Sequence, residues 1–208
     1  MTRRLVAVLV PQPGPDGFPS QSLRAAMVED VYETVAALDL VEPVLVLDAD
    51  DPARGALESL TWPGTPIVHL APGSVAPRTW RALAALVAAG ADQATVLAGD
   101  APDLPGLLVG KLHRALGSAD VAVLPDCDGG LIGLACQVPL PGWLAAEPTQ
   151  VDLDRADAVG LLQGAAPRRA AVSLGPGWHR VRTPADLARL DPGLEGWEVT
   201  RDVLASQG

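Results

Sequence analysis

Two short stretches carry the residues best suited to chemistry. In "GDAPDLP" (99–105), Asp100 and Asp103 follow an apolar run and are braced by Pro102 and Pro105. A carboxylate at the end of a strand can offer hard oxygen to a divalent cation without burying an unpaired charge. A turn residue at 100 and a helix N-terminal residue at 103 would look the same, so spacing leaves both readings open. In "LPDCDGGLIG" (124–133), Asp126 and Asp128 flank Cys127, and Gly129 and Gly130 permit positive φ and close approach of backbone to a ligand. A tight turn between two strands would use the same residues. Cys127 has no activating base beside it in sequence. The loop "PQPGPDGFPSQS" (11–22) could cradle phosphate, but it holds no lysine, and its nearest cation is Arg24. No Walker pattern, GxGxxG or GxSxG occurs, and His69, His113 and His179 have no zinc spacing. Arg78 and Arg81 in "PRTWRAL" could meet an anion, although a solvated helix face is the plainer reading.

These residues must be positioned by regular elements. Short β-branched runs predict strands at 5–10, 43–48, 66–70, 94–98, 120–125, 131–137 and 169–174. Longer amphipathic stretches predict helices at 20–39, 77–89, 105–116, 154–163 and 183–190, with a short one near 200–205. Leu23, Met27, Val31, Val35 and Leu38 form one stripe, with Ser20 or Ser22 as cap. Pro77 and Pro105 open two of the helices, and Gly90 and Gly117 follow them. Thr183, Pro184 and Asp186 suit an N-cap, a first helical residue and a first-turn acid. Alternating strands and helices, with continuously apolar strands, predict a single α/β domain over 1–208: a three-layer α/β/α sandwich on a mostly parallel sheet. The 131–137 run follows "DCDGG" too closely for a helix to intervene, so the sheet should be mixed. Ligands of such sheets bind beyond the carboxyl ends of the strands. Loops 11–22, 99–105 and 125–130 should therefore surround one crevice.

Bulk properties narrow the partners. The chain of 208 residues is 49% apolar and carries a net charge of −10 without a basic stripe. Nucleic acid and anionic membrane surfaces are poor partners for it, and no apolar run is long enough to cross a membrane. "RRLVAVLV" is too short for a signal sequence and reads as a first strand. Cys127 and Cys136 lie in no metal spacing, which suggests two reduced thiols and a cytoplasmic location.

Three runs, "VLAGDAPDLPGLLVGKLHRAL", "ADVAVLPDCDGGLIGLA" and "VRTPADLARL", together resemble the DUF2064 transferases, which have the glycosyltransferase-A (nucleotide-diphospho-sugar transferase) fold. Molybdopterin and 2-phospholactate guanylyltransferases are wider relatives. The match is good over 94–136, fair over 180–190 and poor before residue 60. The resemblance implies a nucleotidyl- or glycosyltransferase that binds a nucleotide or nucleotide-sugar and passes a group to a small acceptor. It implies Asp100 as catalytic carboxylate and metal ligand, for Mg²⁺ or Mn²⁺, and Asp103 in the same loop. Asp128, also catalytic, would line the acceptor or sugar side with Gly129 and Gly130. By their charge rather than by the resemblance, Arg24, Arg180 and Arg182 are the further residues expected to contact the substrate.

Two departures bear on activity. The first loop lacks the lysine that relatives place against phosphate. The late strand, usually Asp-Val-Asp-Thr in relatives, reads Arg180-Val181-Arg182-Thr183. At an effective dielectric near 20, a unit charge about 5 Å from a divalent ion interacts by roughly 6–7 kcal/mol. Reversing that sign argues against the metal and predicts that Arg182, or in its place Arg180, pairs with Asp100 or Asp103 or grips phosphate. The alternative to a transferase is a catalytically degenerate member that keeps the scaffold as a binding or interaction protein.

Overall fold

The computed structural model describes residues 2–206. Its strands are β1 Arg4–Leu9, β2 Glu42–Asp48, β3 Ile67–Leu70, β4 Gln93–Ala98, β5 Val121–Pro125, β6 Leu131–Gln137 and β7 Val172–Leu174. They form one sheet in the order β3-β2-β1-β4-β6-β5-β7. Strand β6 runs antiparallel to both β4 and β5, and the other pairings are parallel. The mixed sheet read from the short "DCDGG" connection is thus present, with the reversed strand inside the sheet rather than at its edge.

Side chains alternate across the sheet and are buried on both sides. In β1, Leu5, Ala7 and Leu9 join one core cluster while Val6 and Val8 join the other. Double-sided burial explains why these strands read as unbroken apolar runs. Helices α1 Gln21–Ala36, α2 Arg54–Glu58 and α4 Gly106–Ala115 cover one face through Tyr32, Leu57 and Leu108. Helices α3 Arg78–Ala88, α5 Gly142–Ala146 and α6 Ala158–Ala165 cover the other through Leu83, Leu144 and Leu162. Helices α2 and α5 escape the sequence reading because five residues cannot display a helical period. The stretch expected as a helix over 183–190 is a 3-10 turn, Pro184–Arg189, the usual form for so short a piece. Helix α6 starts later than the expected 154, because residues 153–156 instead bond the start of β6: Leu131 N donates to Leu153 O at 2.8 Å. Among the described residues no helix is long and apolar enough to cross a membrane.

The strand order reverses between β1 and β4, which places the switch point beyond their carboxyl ends. Gly99 sits there because a Cβ would lie 2.9 Å from Leu9 O and 3.1 Å from Val28 Cγ2.

Helix α7, Glu198–Ser206, packs on α1 around a small cluster of Leu23, Met27, Val181, Leu190 and Trp197. Buried Asp30 of α1 accepts the Val199 and Thr200 N–H groups at 3.1 and 2.8 Å and so caps this helix from outside. Burial raises the Asp30 carboxyl to about 6, with the Thr200 and Val199 donors opposing the rise. The folded chain therefore holds this proton more tightly than the unfolded chain. The stability it contributes is complete below about pH 4 and lost as pH rises through about 6, a linkage worth about 3 kcal/mol. Urea unfolding of wild type and Asp30→Asn between pH 4 and pH 7.5 checks this: the wild type should lose stability relative to the variant as pH rises. Parallel profiles would contradict it.

Candidate functional site

Segment 178–182 crosses the carboxyl end of the sheet and carries the decisive side chains. It enters beside the end of β5, where Trp178 N donates to Pro125 O at 3.0 Å and Cys127 N donates to Trp178 O at 2.9 Å. It then reaches β4, where Val181 N donates to Asp100 O at 2.7 Å. That register sets Arg180 against Asp100. Arg180 Nε lies 2.6 Å from Asp100 Oδ1 and Nη2 lies 2.9 Å from Oδ2, a bidentate fork. Its Nη1 reaches Asp154 Oδ1 at 2.7 Å and the carbonyls of Leu131 and Leu153 at 3.4 Å. The Arg180 and Asp100 side chains are only 6% and 3% exposed. Burial opposes the charge on Arg180, but Asp100 and Asp154 together outweigh it and hold its pKa above the ordinary arginine value.

Of the two arginines expected near Asp100 or Asp103, the preferred one, Arg182, is corrected to the alternative: Arg180 takes Asp100. Arg182 instead ion-pairs with buried Asp126, and its Nη2 also donates to Gly129 O at 3.1 Å. Burial raises the pKa of Asp126, with Arg182 acting against the rise. Asp103, buried, accepts Trp178 Nε1 at Oδ1 and Asp191 N at Oδ2, both at 3.1 Å, and His179 Nε2 also stands 3.1 Å from Oδ2. It ties the 99–105 loop to the later chain and does not line either of the two cavities at the switch point.

The remaining expected site residues are dispersed. Arg24 is buried in an ion pair with Asp51, away from the crevice. Asp128 is exposed, pairs with Arg189 and is held below the usual carboxylate range by that guanidinium. Gly129 and Gly130 have φ of +93° and +88° and lie against the 153–156 backbone. A Cβ at Gly130 would come within 2.5 Å of Leu153 O. The glycine pair thus lets the β5–β6 turn pack against that segment.

Two adjoining cavities open at the switch point. One, of about 220 Å³, is lined by Gln12, Gly14, Phe18, Arg78, Asp100, Asp154, Arg180 and Arg182 among others. The next, of about 420 Å³, lies beside Asp48, Asp50, Arg81 and Asp152, and shares Gln12, Arg78 and Asp154 with the first. Loops 11–22 and 99–105 do border this crevice, whereas loop 125–130 lies outside it. Arg78 is not on a solvated helix face: its Nε and Nη2 reach Asp48, and Nη2 donates to Val10 O at 2.8 Å. Asp154 sits in no motif, and nothing local in the sequence marks it as part of the site. Loop 11–22 is a poor phosphate cradle. Prolines 11, 13, 15 and 19 have no N–H, and the Gly14, Gly17 and Phe18 amides bond to Phe18 O, Gly14 O and Asp16 Oδ1.

Neither a family model nor a curated protein matches the sequence. Solved structures do match. A protein from Desulfovibrio desulfuricans G20, described as a nucleotide-diphospho-sugar transferase, superposes with a TM-score of 0.70 at 18% identity, over 98% of this chain and 95% of its own. CMP:2-keto-3-deoxy-manno-octonic acid synthetase, solved with CTP, gives 0.63 at 14% identity over 100% of both chains. Rv0371c of Mycobacterium tuberculosis H37Rv, solved with manganese, gives 0.58 at 18% identity over 90% of this chain and 97% of its own. The chain has the nucleotidyl- and sugar-nucleotide-transferase fold. Identity this low carries the fold alone.

A manganese-bearing neighbour makes the fit of a cation a fair question. Both Asp100 oxygens are occupied by the Arg180 fork, and among the described residues no group of three His, Cys, Asp or Glu could hold a metal ion. Asp100 and its surroundings, as folded, do not fit a divalent cation.

Proposed function

We propose that this chain is a nucleotidyl- or glycosyltransferase-like protein that binds a nucleotide or nucleotide-sugar in the crevice beyond β1 and β4. The observation that carries the reading is the pair of joined cavities at the switch point, of a size that suits such ligands and lined by Arg78 and Arg182. Membership of the DUF2064 transferases, with guanylyltransferases as wider relatives, belongs to the same reading and rests on the 94–136 motif run. Catalysis would be positioning and charge neutralisation, which group transfer from a nucleotide chiefly requires. A cytoplasmic location accords with such ligands and with two free thiols.

A second reading, a binding or interaction protein without chemistry, is favoured by one specific observation. Both carboxylates that would serve catalysis, Asp100 and Asp128, are engaged by arginines. Thermal-shift screening with nucleoside triphosphates and nucleotide-sugars, with and without Mg²⁺, tests the proposal. A bound ligand at about 100 times its Kd should stabilise the fold by about 2.7 kcal/mol. Stabilisation followed by turnover supports the transferase, stabilisation without turnover supports the second reading, and silence across the panel refutes nucleotide binding.

A further inference from the structure

The ligands that Arg180 gathers are those a hard cation would choose. Carboxylates come from two separate segments, Asp100 after β4 and Asp154 ahead of α6, and the backbone carbonyls of Leu131 and Leu153 complete the set. What sits among them is a planar monocation on a strand-like segment. It cannot drift away, because its neighbour Val181 is bonded to Asp100 O and buried in the small cluster with Leu23 and Met27. Removing it would strand a buried carboxylate, so an ion arriving from solvent must compete with a neutralising group that is already in place.

We propose that the Arg180 guanidinium stands in for a divalent cation in this chain, so that the crevice takes phosphate-bearing anions without metal. Arg180 itself is spent on Asp100 and Asp154. Free donors come from its neighbours. Arg182, a third exposed, engages protein through Nη2 alone and keeps Nε and Nη1 for a ligand. Arg78 borders both cavities and has Nη1 uncommitted. Single donors from two guanidinium groups can reach different non-bridging oxygens of a diphosphate. The anion half of this proposal rests on the nucleotide reading; the cation half rests on the geometry at Asp100 alone.

Calorimetric titration with Mn²⁺ alone, and with inorganic pyrophosphate in EDTA or in Mg²⁺, separates the two. Wild type should bind Mn²⁺ no more tightly than millimolar. Pyrophosphate should bind in EDTA at least as tightly as in Mg²⁺, and Arg182→Ala should weaken it at least tenfold. Arg180→Met, which bares Asp100 and Asp154, should gain a Mn²⁺-dependent rise in melting temperature that wild type lacks. Micromolar Mn²⁺ binding by wild type that Asp100→Asn abolishes would overturn the proposal, as would pyrophosphate binding that needs Mg²⁺. A folded Arg180→Met that ignores Mn²⁺ would overturn it too. If that variant does not fold, the wild-type Mn²⁺ titration decides by itself. Pyrophosphate that binds under neither condition overturns the anion half and the nucleotide reading, while the Mn²⁺ arm still reads the cation half.

Discussion

Arg180→Ala should lower the stability of the fold by about 3–5 kcal/mol, because it leaves the Asp100 carboxylate buried without its fork. Against the 5–15 kcal/mol that holds an ordinary domain together, this is enough to unfold a sizeable fraction of the molecules. The pair is not thereby a large net source of stability. Each charge was taken out of water to form it, and an apolar pair of similar volume would be nearly neutral. Arg180→Met combined with Asp100→Leu should therefore recover most of the loss, whereas either single change should not. Asp154 needs no compensation, since it is more than half exposed and regains water. Urea unfolding of the two single variants and the double variant measures the coupling. A single-variant cost below 1 kcal/mol would show that the fork does not hold the carboxyl end of the sheet.

Gly130→Ala should cost about 2–5 kcal/mol. Its φ of +88° is strained for any residue with a Cβ, and that atom would meet Leu153 O at 2.5 Å, a backbone atom that cannot swing aside. Segment 153–156 would have to retreat, taking with it the Leu131 N to Leu153 O bond and the Asp154 arm of the Arg180 network. The same exchange at Gly110 provides a control of opposite sign. Gly110 lies within α4 with nothing within 4 Å of its would-be Cβ, and alanine there should stabilise by about 0.5–1 kcal/mol. Denaturant midpoints of the two variants, read side by side, check both; a Gly130→Ala chain as stable as wild type would refute the packing role.

How far the sequence could be read follows from the range of each interaction. Inner strands buried on both faces announce themselves as apolar runs, while the half-exposed edge strands β3 and β7 read less sharply: the expected 169–174 strand begins as a 3-10 turn, Arg169–Ala171, and the "DCDGG" connection marks the reversed strand. The site was legible in type but not in pairing. An acid after β4 facing an arginine in 180–182 could be expected, yet both arginines lie on one face of an extended segment. Which of them meets Asp100 depends on the Val181 N to Asp100 O bond, a register set by tertiary packing. Gly129 and Gly130 were ambiguous for a similar reason. Their neighbour is a segment more than twenty residues downstream, and nothing local marks it. Arg78 was read as solvated because a helix face gives no hint that Val10 O and Asp48 wait across the sheet end.

Asp30, Asp100, Asp103 and Asp126 are the buried carboxylates among the described residues, and each finds at least one partner within residues 178–200. On a ribosome, all seven strands and helices α1 to α6 emerge before any of those partners exist. Until then the nascent chain carries four anions at positions meant for the interior, in a polypeptide already rich in negative charge. Charge of that kind resists early collapse at one end of the sheet, so the half-made crevice stays wet and open. Its closure has to wait for residues 178–182, whose Arg180 and Arg182 neutralise Asp100 and Asp126.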